Sequence, residues 1–379
     1  MSRAVISLGA VVLALFGIAF QVRLAEAAQG LALPTVGMVC AVAAAFACAG
    51  GRAERLLKSR RGAVIAWGAC AAVMMMLIVF GRRYRGGLYL PGLINPSEFV
   101  KLGAVVFAAA RLACDEARPK PMLFIGYGSI VALAAAVGDF GLAAQLALTF
   151  AAILFVVSWA WGLGAIAAIV AAFAFAAAFP VGHLAVRFAV WRDPLADATG
   201  AGWQTLQGLV AIVRGGSFGS GFGLGHADYV PIVSSDFVYA ALAEDLGIVG
   251  CAVLLSIWAA VVVAAFRSAA RSHDAGRTGS ALLSCGLAAA ICVQITLNVA
   301  GVLNALPMTG IPLPLISHGG TSLVATLAMC GILAGLAGTG KPEEELVVPE
   351  KKKRSIRNNG NGNRRRDAVR RGTRNSVGA

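Results

Sequence analysis

Apolar residues along this chain do not alternate with polar ones, and few segments show a narrow amphipathic stripe. They gather in runs long enough, or nearly so, to cross the hydrocarbon layer of a membrane. The runs fall at about 4–24, 31–50, 63–80, 98–113, 122–138, 140–157, 161–180, 237–266, 279–304 and 319–338. They predict an all-α integral membrane protein of about ten transmembrane helices, with a large extracytoplasmic loop, 181–235, before the eighth. The division between the fifth and sixth spans rests on Gly138, Asp139, Phe140 and Gly141, and an even count needs a turn there.

Composition agrees with this reading: 59% of the 379 residues are hydrophobic and 13% charged, well outside the range of a soluble domain. Loop charges then suggest an orientation. With the N-terminus in the cytoplasm, the inside loops carry Arg52, Arg55, Lys58, Arg60 and Arg61, then Arg111, Arg118 and Lys120, then Arg267, Arg271 and Arg277. The long outside loop holds only Arg187, Arg192 and Arg214, as the positive-inside rule expects. Arg82, Arg83 and Arg85 dissent, since they fall outside, just after the third span. A signal-peptide reading of the start, ending near Ala25 to Ala28, is the alternative; cleavage would leave nine spans and put the basic tail on the wrong side.

The net charge of +14 is concentrated beyond residue 340. Residues 1–340 read as the transmembrane domain and 341–379 as a disordered, basic, cytoplasmic tail. The tail, with Lys351 to Arg354 and Arg364 to Arg366, suits anionic membrane lipid rather than nucleic acid. The eight cysteines lie in or beside apolar segments without a CxxC pair, which argues against disulfides and a structural metal.

Ionised groups at membrane depth each need a reason to be there. Asp236 stands at the mouth of the eighth span, and Glu244 and Asp245 follow two turns deeper. Asp236 reads either as an ordinary N-cap or as a functional carboxylate. Glu98 and Lys101, three apart on one helix face, can neutralise each other, as a structural pair or as part of a substrate lining. The outer loop mixes aromatic residues with Arg187, Arg192, Gln204 and Gln207, a surface suited to a polar, anionic and partly apolar ligand. Its glycines at 219, 221, 223 and 225 follow no strand, so a pliable turn is expected rather than a nucleotide loop. Near the end, three prolines and three glycines surround Ser317 and His318, which predicts a broken segment lining a polar site.

In the same order and spacing, INPSEFVK, GDFGLA, the DP and GAGWQ pieces of the loop, SSDFVYAALAEDLGIVG and LPMTGIPLPLISHGGTS resemble the signature segments of the SEDS family, typified by FtsW and RodA. The resemblance covers roughly residues 5 to 338. It implies a ten-helix peptidoglycan glycosyltransferase of the bacterial cytoplasmic membrane that polymerises lipid II, generally with a class B penicillin-binding protein. It places the family's essential aspartate on Asp236, as the base that takes a proton from the acceptor sugar. Glu98, Lys101, Asp139, Arg187, Arg192, Gln204, Gln207, Ser317 and His318 become candidate substrate contacts, and Glu244 and Asp245 a structural acidic pair. A divalent cation, Mg or Mn, is left open as a cofactor. The glutamines and the ALPMTG segment look closer to the FtsW, cell-division side than to RodA. A lipid II flippase and a non-catalytic scaffold for the transpeptidase are the alternatives. The chain departs from the family in lacking a tryptophan before Asn95 and in having Ser234, Ser235, Ile232 and His318 where other residues are usual.

Overall fold

The computed structural model describes residues 1–24, 39–40, 43–44, 52–84, 87–90, 95–179, 182–226, 229–231, 233–318 and 320–338. The second expected span, 31–50, lies almost wholly outside the described residues, and the tail lies entirely outside them. Residues Met1–Gly340 form one compact unit.

Nine of the expected spans stand as helices among the described residues. They are α1 (Ser2–Arg23), α3 (Arg60–Phe80), α4 (Ser97–Cys114), α5 (Pro121–Ala136), α6 (Phe140–Val157), α7 (Trp159–Ala178), α10 (Val238–Asp274), α11 (Thr278–Val302) and α12 (Gly320–Gly338). Seven are long and apolar enough to cross a membrane on those grounds alone; α4 carries Glu98, Lys101 and Arg111, and α5 is only 16 residues long. The turn at Gly138 and Asp139 is present, because the Asp139 carboxylate caps α6 by accepting from the Leu142 amide at 2.9 Å.

Three short helices and a hairpin join the spans: α2 (Arg52–Leu57), α8 (His183–Arg192), α9 (Trp203–Gly215), and β1 (Arg82–Tyr84) paired with β2 (Gly87–Tyr89). The hairpin is a small departure from an all-helical chain, and it carries part of the dissenting arginine cluster. The long outer loop holds two of these helices, α8 and α9.

Burial sorts the helices. α11 is enclosed on nearly every side by α4, α6, α10 and α12, whereas α7 leaves almost all its side chains exposed. An apolar helix with so little protein around it must meet lipid.

The eighth span departs from expectation inside α10. Gly247 has φ 67° and ψ −177°, a conformation that breaks the helical ladder and favours a residue without Cβ. The freed backbone groups are taken up by the outer loop: Ser220 N donates to Glu244 O at 2.9 Å and Gly221 N to Asp245 O at 3.0 Å. In return, Ile248 N donates to Gly216 O at 3.0 Å and Val249 N to Ser217 O at 3.1 Å. The glycine series is therefore a fixed insert, not a pliable turn. Asp245 accepts from the amides of Gly223 (3.0 Å) and Gly225 (3.2 Å) and pairs with Arg23 of α1 at 3.0 Å. A Cβ on Gly225 would lie 2.3 Å from the Asp245 carboxylate. Glu244, also fully buried, leaves Oε2 without a hydrogen-bond partner, so Asp245 alone of the two makes the interhelical ion pair with Arg23.

Candidate functional site

Asp236 lies in the turn before α10, and the capping position belongs to Phe237, which makes no side-chain capping bond. Asp236 thus stands one residue ahead of the position where α10 is capped. What holds the turn is a set of donors from three other elements. Ser234 O accepts from Gln21 Nε2 of α1 (3.0 Å) and from the His318 amide (2.7 Å). Ser235 O accepts from Ser317 Oγ at 2.6 Å, and Asp236 O from Asn298 Nδ2 of α11 at 3.0 Å. Three consecutive carbonyls are thus pinned, and the Asp236 side chain, half-buried, is aimed by a backbone that has little freedom left.

The segment 307–318 forms the facing wall. Its prolines supply carbonyls but no amides, so it draws donors from the helices around it. Asn298 Nδ2 reaches Ile311 O at 2.8 Å, and one turn away Gln294 Nε2 reaches Pro312 O at 2.9 Å. Leu313 N donates to Ser317 Oγ at 2.7 Å, so that single hydroxyl joins the segment to the Asp236 turn. Gly310, at φ 73°, sits where a Cβ would lie 3.6 Å from Asp236 Oδ2 and 3.9 Å from Arg187 Nη2. The carboxylate and the guanidinium thus approach the same point over a residue that offers no side chain of its own.

Arg187 comes from α8 and is anchored by Nη1 donating to Thr309 O at 3.1 Å. Burial lowers its pKa, opposed by the negative charges of Asp236 and then Asp139. Asp139 is pushed above the ordinary carboxylate value by burial, opposed by the Leu142 amide; Glu98 adds to the rise, while Lys101 and the Ser97 hydroxyl oppose it. Ser97 Oγ lies 3.4 Å from Asp139 Oδ2. Next along is Lys101, fully buried, with Nζ donating to Glu98 at 2.5 Å and to Gln294 Oε1 at 2.8 Å. Gln145 Nε2 also reaches Gln294 Oε1, at 3.2 Å.

Of the residues singled out from sequence, Asp236, Arg187, Asp139, Glu98, Lys101 and Ser317 fall within this one connected region. The others are set differently. Arg192 donates to Ala177 O at 2.7 Å and so caps the end of α7. Gln204 donates to Pro231 O at 3.1 Å, bracing the outer loop, with Gln207 half-buried further along α9. His318 contributes its amide to the Asp236 turn, and its imidazole is half-buried. Sequence reading passed over Gln21, Gln294 and Asn298. Their signal was present, as amide side chains inside apolar helices, and Gln294 and Asn298 are spaced one turn apart.

Among the described residues no three His, Cys, Asp or Glu side chains converge. Of the region's carboxylates, Glu98 pairs with Lys101, Asp139 caps α6, and Asp236 approaches Arg187 over Gly310.

Residues 55–341 match the family model for FtsW, RodA and SpoVE, described as cell cycle proteins. The peptidoglycan glycosyltransferase RodA of Mycobacterium tuberculosis is 31% identical over 274 residues, covering 67% of this chain and 58% of that protein. The chain thus spans little more than half the length of the mycobacterial relative. A probable peptidoglycan glycosyltransferase FtsW of Halomonas elongata is 31% identical over 285 residues, 69% of this chain and 70% of that one. Among solved structures, a chain from work on the coordination of polymerization and crosslinking by a peptidoglycan synthase complex superposes with TM-score 0.67 at 22% identity, covering 89% of this chain and 98% of that one. RodA of Thermus thermophilus does so with TM-score 0.59 at 24% identity, covering 88% and 97%.

Proposed function

Because the chain belongs to the family of FtsW, RodA and SpoVE, we propose that it is a peptidoglycan glycosyltransferase that polymerises lipid II. The observation that carries this reading is the convergence of the Asp236 carboxylate and the Arg187 guanidinium over Gly310. An acceptor hydroxyl placed there loses its proton to Asp236 while its oxygen bonds to the anomeric carbon of the donor. The bond from that carbon to the pyrophosphate breaks, and the leaving group carries the electron pair away as undecaprenyl pyrophosphate. Arg187 has the charge to meet that anion and, in the resting site, to keep Asp236 ionised. Pinning of the Ser234, Ser235 and Asp236 carbonyls lowers the reorganisation needed at the moment of transfer.

In this reading the protein lies in the bacterial cytoplasmic membrane with both termini in the cytoplasm, and its basic tail rests on anionic lipid. A class B penicillin-binding protein is the partner that crosslinks its product. Relatives of both names match at the same identity, and the division role is preferred to elongation on the outer-loop glutamines and the ALPMTG segment alone.

The test is lipid II polymerisation by the purified chain with a class B partner. Asp236→Asn should lose about 10²–10⁴-fold in rate, the contribution of a positioned general base, while still inserting into the membrane and binding its partner. Polymerisation at the parent rate would remove Asp236 as the base. Movement of labelled lipid II across pure vesicles without glycan product would favour the flippase instead.

A further inference from the structure

The insert 216–225 is built for a purpose that the reaction does not use. One side is fixed to protein by the hydrogen bonds to the break in α10 and by the Asp245 carboxylate. The other side is apolar and open: Phe218 is 82% exposed, Leu224 71% and Phe222 50%. Three large hydrophobic side chains within seven residues, on a backbone held this firmly, are not a frayed loop.

Their depth follows from α1. The Phe222 ring packs edge-on against Phe20 and Phe16, with centroids 5.9 and 6.3 Å apart. Those residues lie one and two turns inside Arg23, the last residue of an apolar 22-residue span. Arg23 is itself tied to Asp245 and to Gly225 O (2.7 Å). The insert therefore lies level with the last two turns of a membrane helix, which is the boundary between acyl chains and headgroups. On the two spans that hold it, Leu15 of α1 and Ile248 and Val253 of α10 are likewise apolar and exposed, and Ile248 donates its amide to Gly216 O of the insert. Arg214, exposed at the end of α9, stands two residues before the insert, where a cation suits lipid phosphate.

We propose that residues 216–225 form an interfacial wedge, with Phe218, Phe222 and Leu224 seated among the acyl chains of the leaflet at the Asp236 end of the bundle. Lipid is the occupant because the insert presents its large apolar side chains at the level where a membrane span ends, packed against that span. The wedge ties the level of the α10 break, and with it the helix that begins just after Asp236, to the membrane surface.

The experiment places a photoreactive benzophenone side chain at position 218, or separately at 224. The full chain is reconstituted in vesicles of phosphatidylethanolamine and phosphatidylglycerol, and adducts are weighed by mass spectrometry after illumination. Position 199, exposed elsewhere in the outer loop, is the reference. Lipid adducts at 218 and 224 several-fold above those at 199 are expected. Equal yields at all three positions would put the segment in water and overturn the wedge. Protein adducts in place of lipid, whether to a second copy or to an added transpeptidase, would overturn it as well.

Discussion

Arg187 serves two carboxylates, and the sharing sets how each behaves. Its positive charge favours the ionised form of Asp236, so removing it should raise the acid's affinity for protons. With Arg187→Ala, the acidic limb of the pH–rate profile for polymerisation is expected to move to higher pH; an unmoved limb would detach Arg187 from Asp236. Asp139 gives a stability test with a definite sign. Its folded pKa is raised above the ordinary value of 3.8, chiefly by burial, so its contribution to stability is fully present below that value and is lost as pH rises through the raised one. Asparagine caps a helix about as well as aspartate but does not titrate. The melting temperature of Asp139→Asn, relative to the parent chain, should therefore climb as pH is taken from acid toward neutral. At this scale much was legible in the sequence. Asp236, Asp139 and the Glu98–Lys101 pair stand out because a charge in an apolar context needs compensation. Arg187 could not be separated from Arg192 or Arg214, because which arginine turns inward depends on the fold of α8 and not on the residue type. Gly310 gave no sign of its place between acid and guanidinium.

Among the elements, α11 does more than cross the membrane. Asn298 and Gln294, one turn apart, catch the carbonyls of Ile311 and Pro312, and Asn298 also catches that of Asp236. A proline-rich strand of backbone at this depth stays in place because a neighbouring helix supplies the donors that water would otherwise provide. Asn298→Ala leaves two carbonyls without their donor. It should cost about 1–3 kcal/mol of stability, and lower kcat more than it raises KM, because the residue acts through the aim of Asp236 rather than through binding. The break in α10 is a second device of this kind. The sequence shows an apolar run with an acidic pair in it, and periodicity alone continues the helix straight through Gly247. What ends the first half is a positive φ supported by hydrogen bonds from residues some thirty positions earlier, and no local pattern records such a partner. The same nonlocality explains why Asp245, and not Glu244, pairs with Arg23. Arg23→Met would leave Asp245 buried without its counter-charge, at a cost of about 3–5 kcal/mol, read as a fall in melting temperature.

For the whole molecule, the helix ends sort into two sets without reference to a membrane. Ser2 accepts from Arg271, so the start of α1 and the end of α10 lie together. A Cβ on Gly338 would come within 3.1 Å of Arg3, which brings the end of α12 to the same place. Glu54 of α2 receives the amides of Gly279 (3.2 Å) and Ser280 (2.7 Å), capping α11 from a distance, and Cys114 at the end of α4 reaches Leu57 O. Burial pushes the Glu54 pKa up, but the Ser280 hydroxyl and these two amides outweigh it and hold the carboxyl below its ordinary value. The opposite set contains Gln21, Arg23, Ser97, Asp139, the Asp236 turn and Asn298, through the contacts already described. Most of the loop arginines and lysines counted from sequence, those of Arg52 to Arg61, Arg111 to Lys120 and Arg267 to Arg277, belong to the first set, whereas Arg82 and Arg83 and the outer loop's Arg187, Arg192 and Arg214 do not. Loop charge distinguishes the two sets of helix ends in the sequence, because each charge is counted whether or not its partner is known, whereas the closed site required contacts between distant spans. If the positive-inside rule holds, the first set faces the cytoplasm and Asp236 faces outward. A single cysteine introduced at 199 should then react with a membrane-impermeant maleimide on intact cells, and one at 276, in the turn between α10 and α11, only after the membrane is opened. The reverse pattern would put the acid on the side where a precursor is assembled, with no route to the growing wall, and a polymerase could not work that way round.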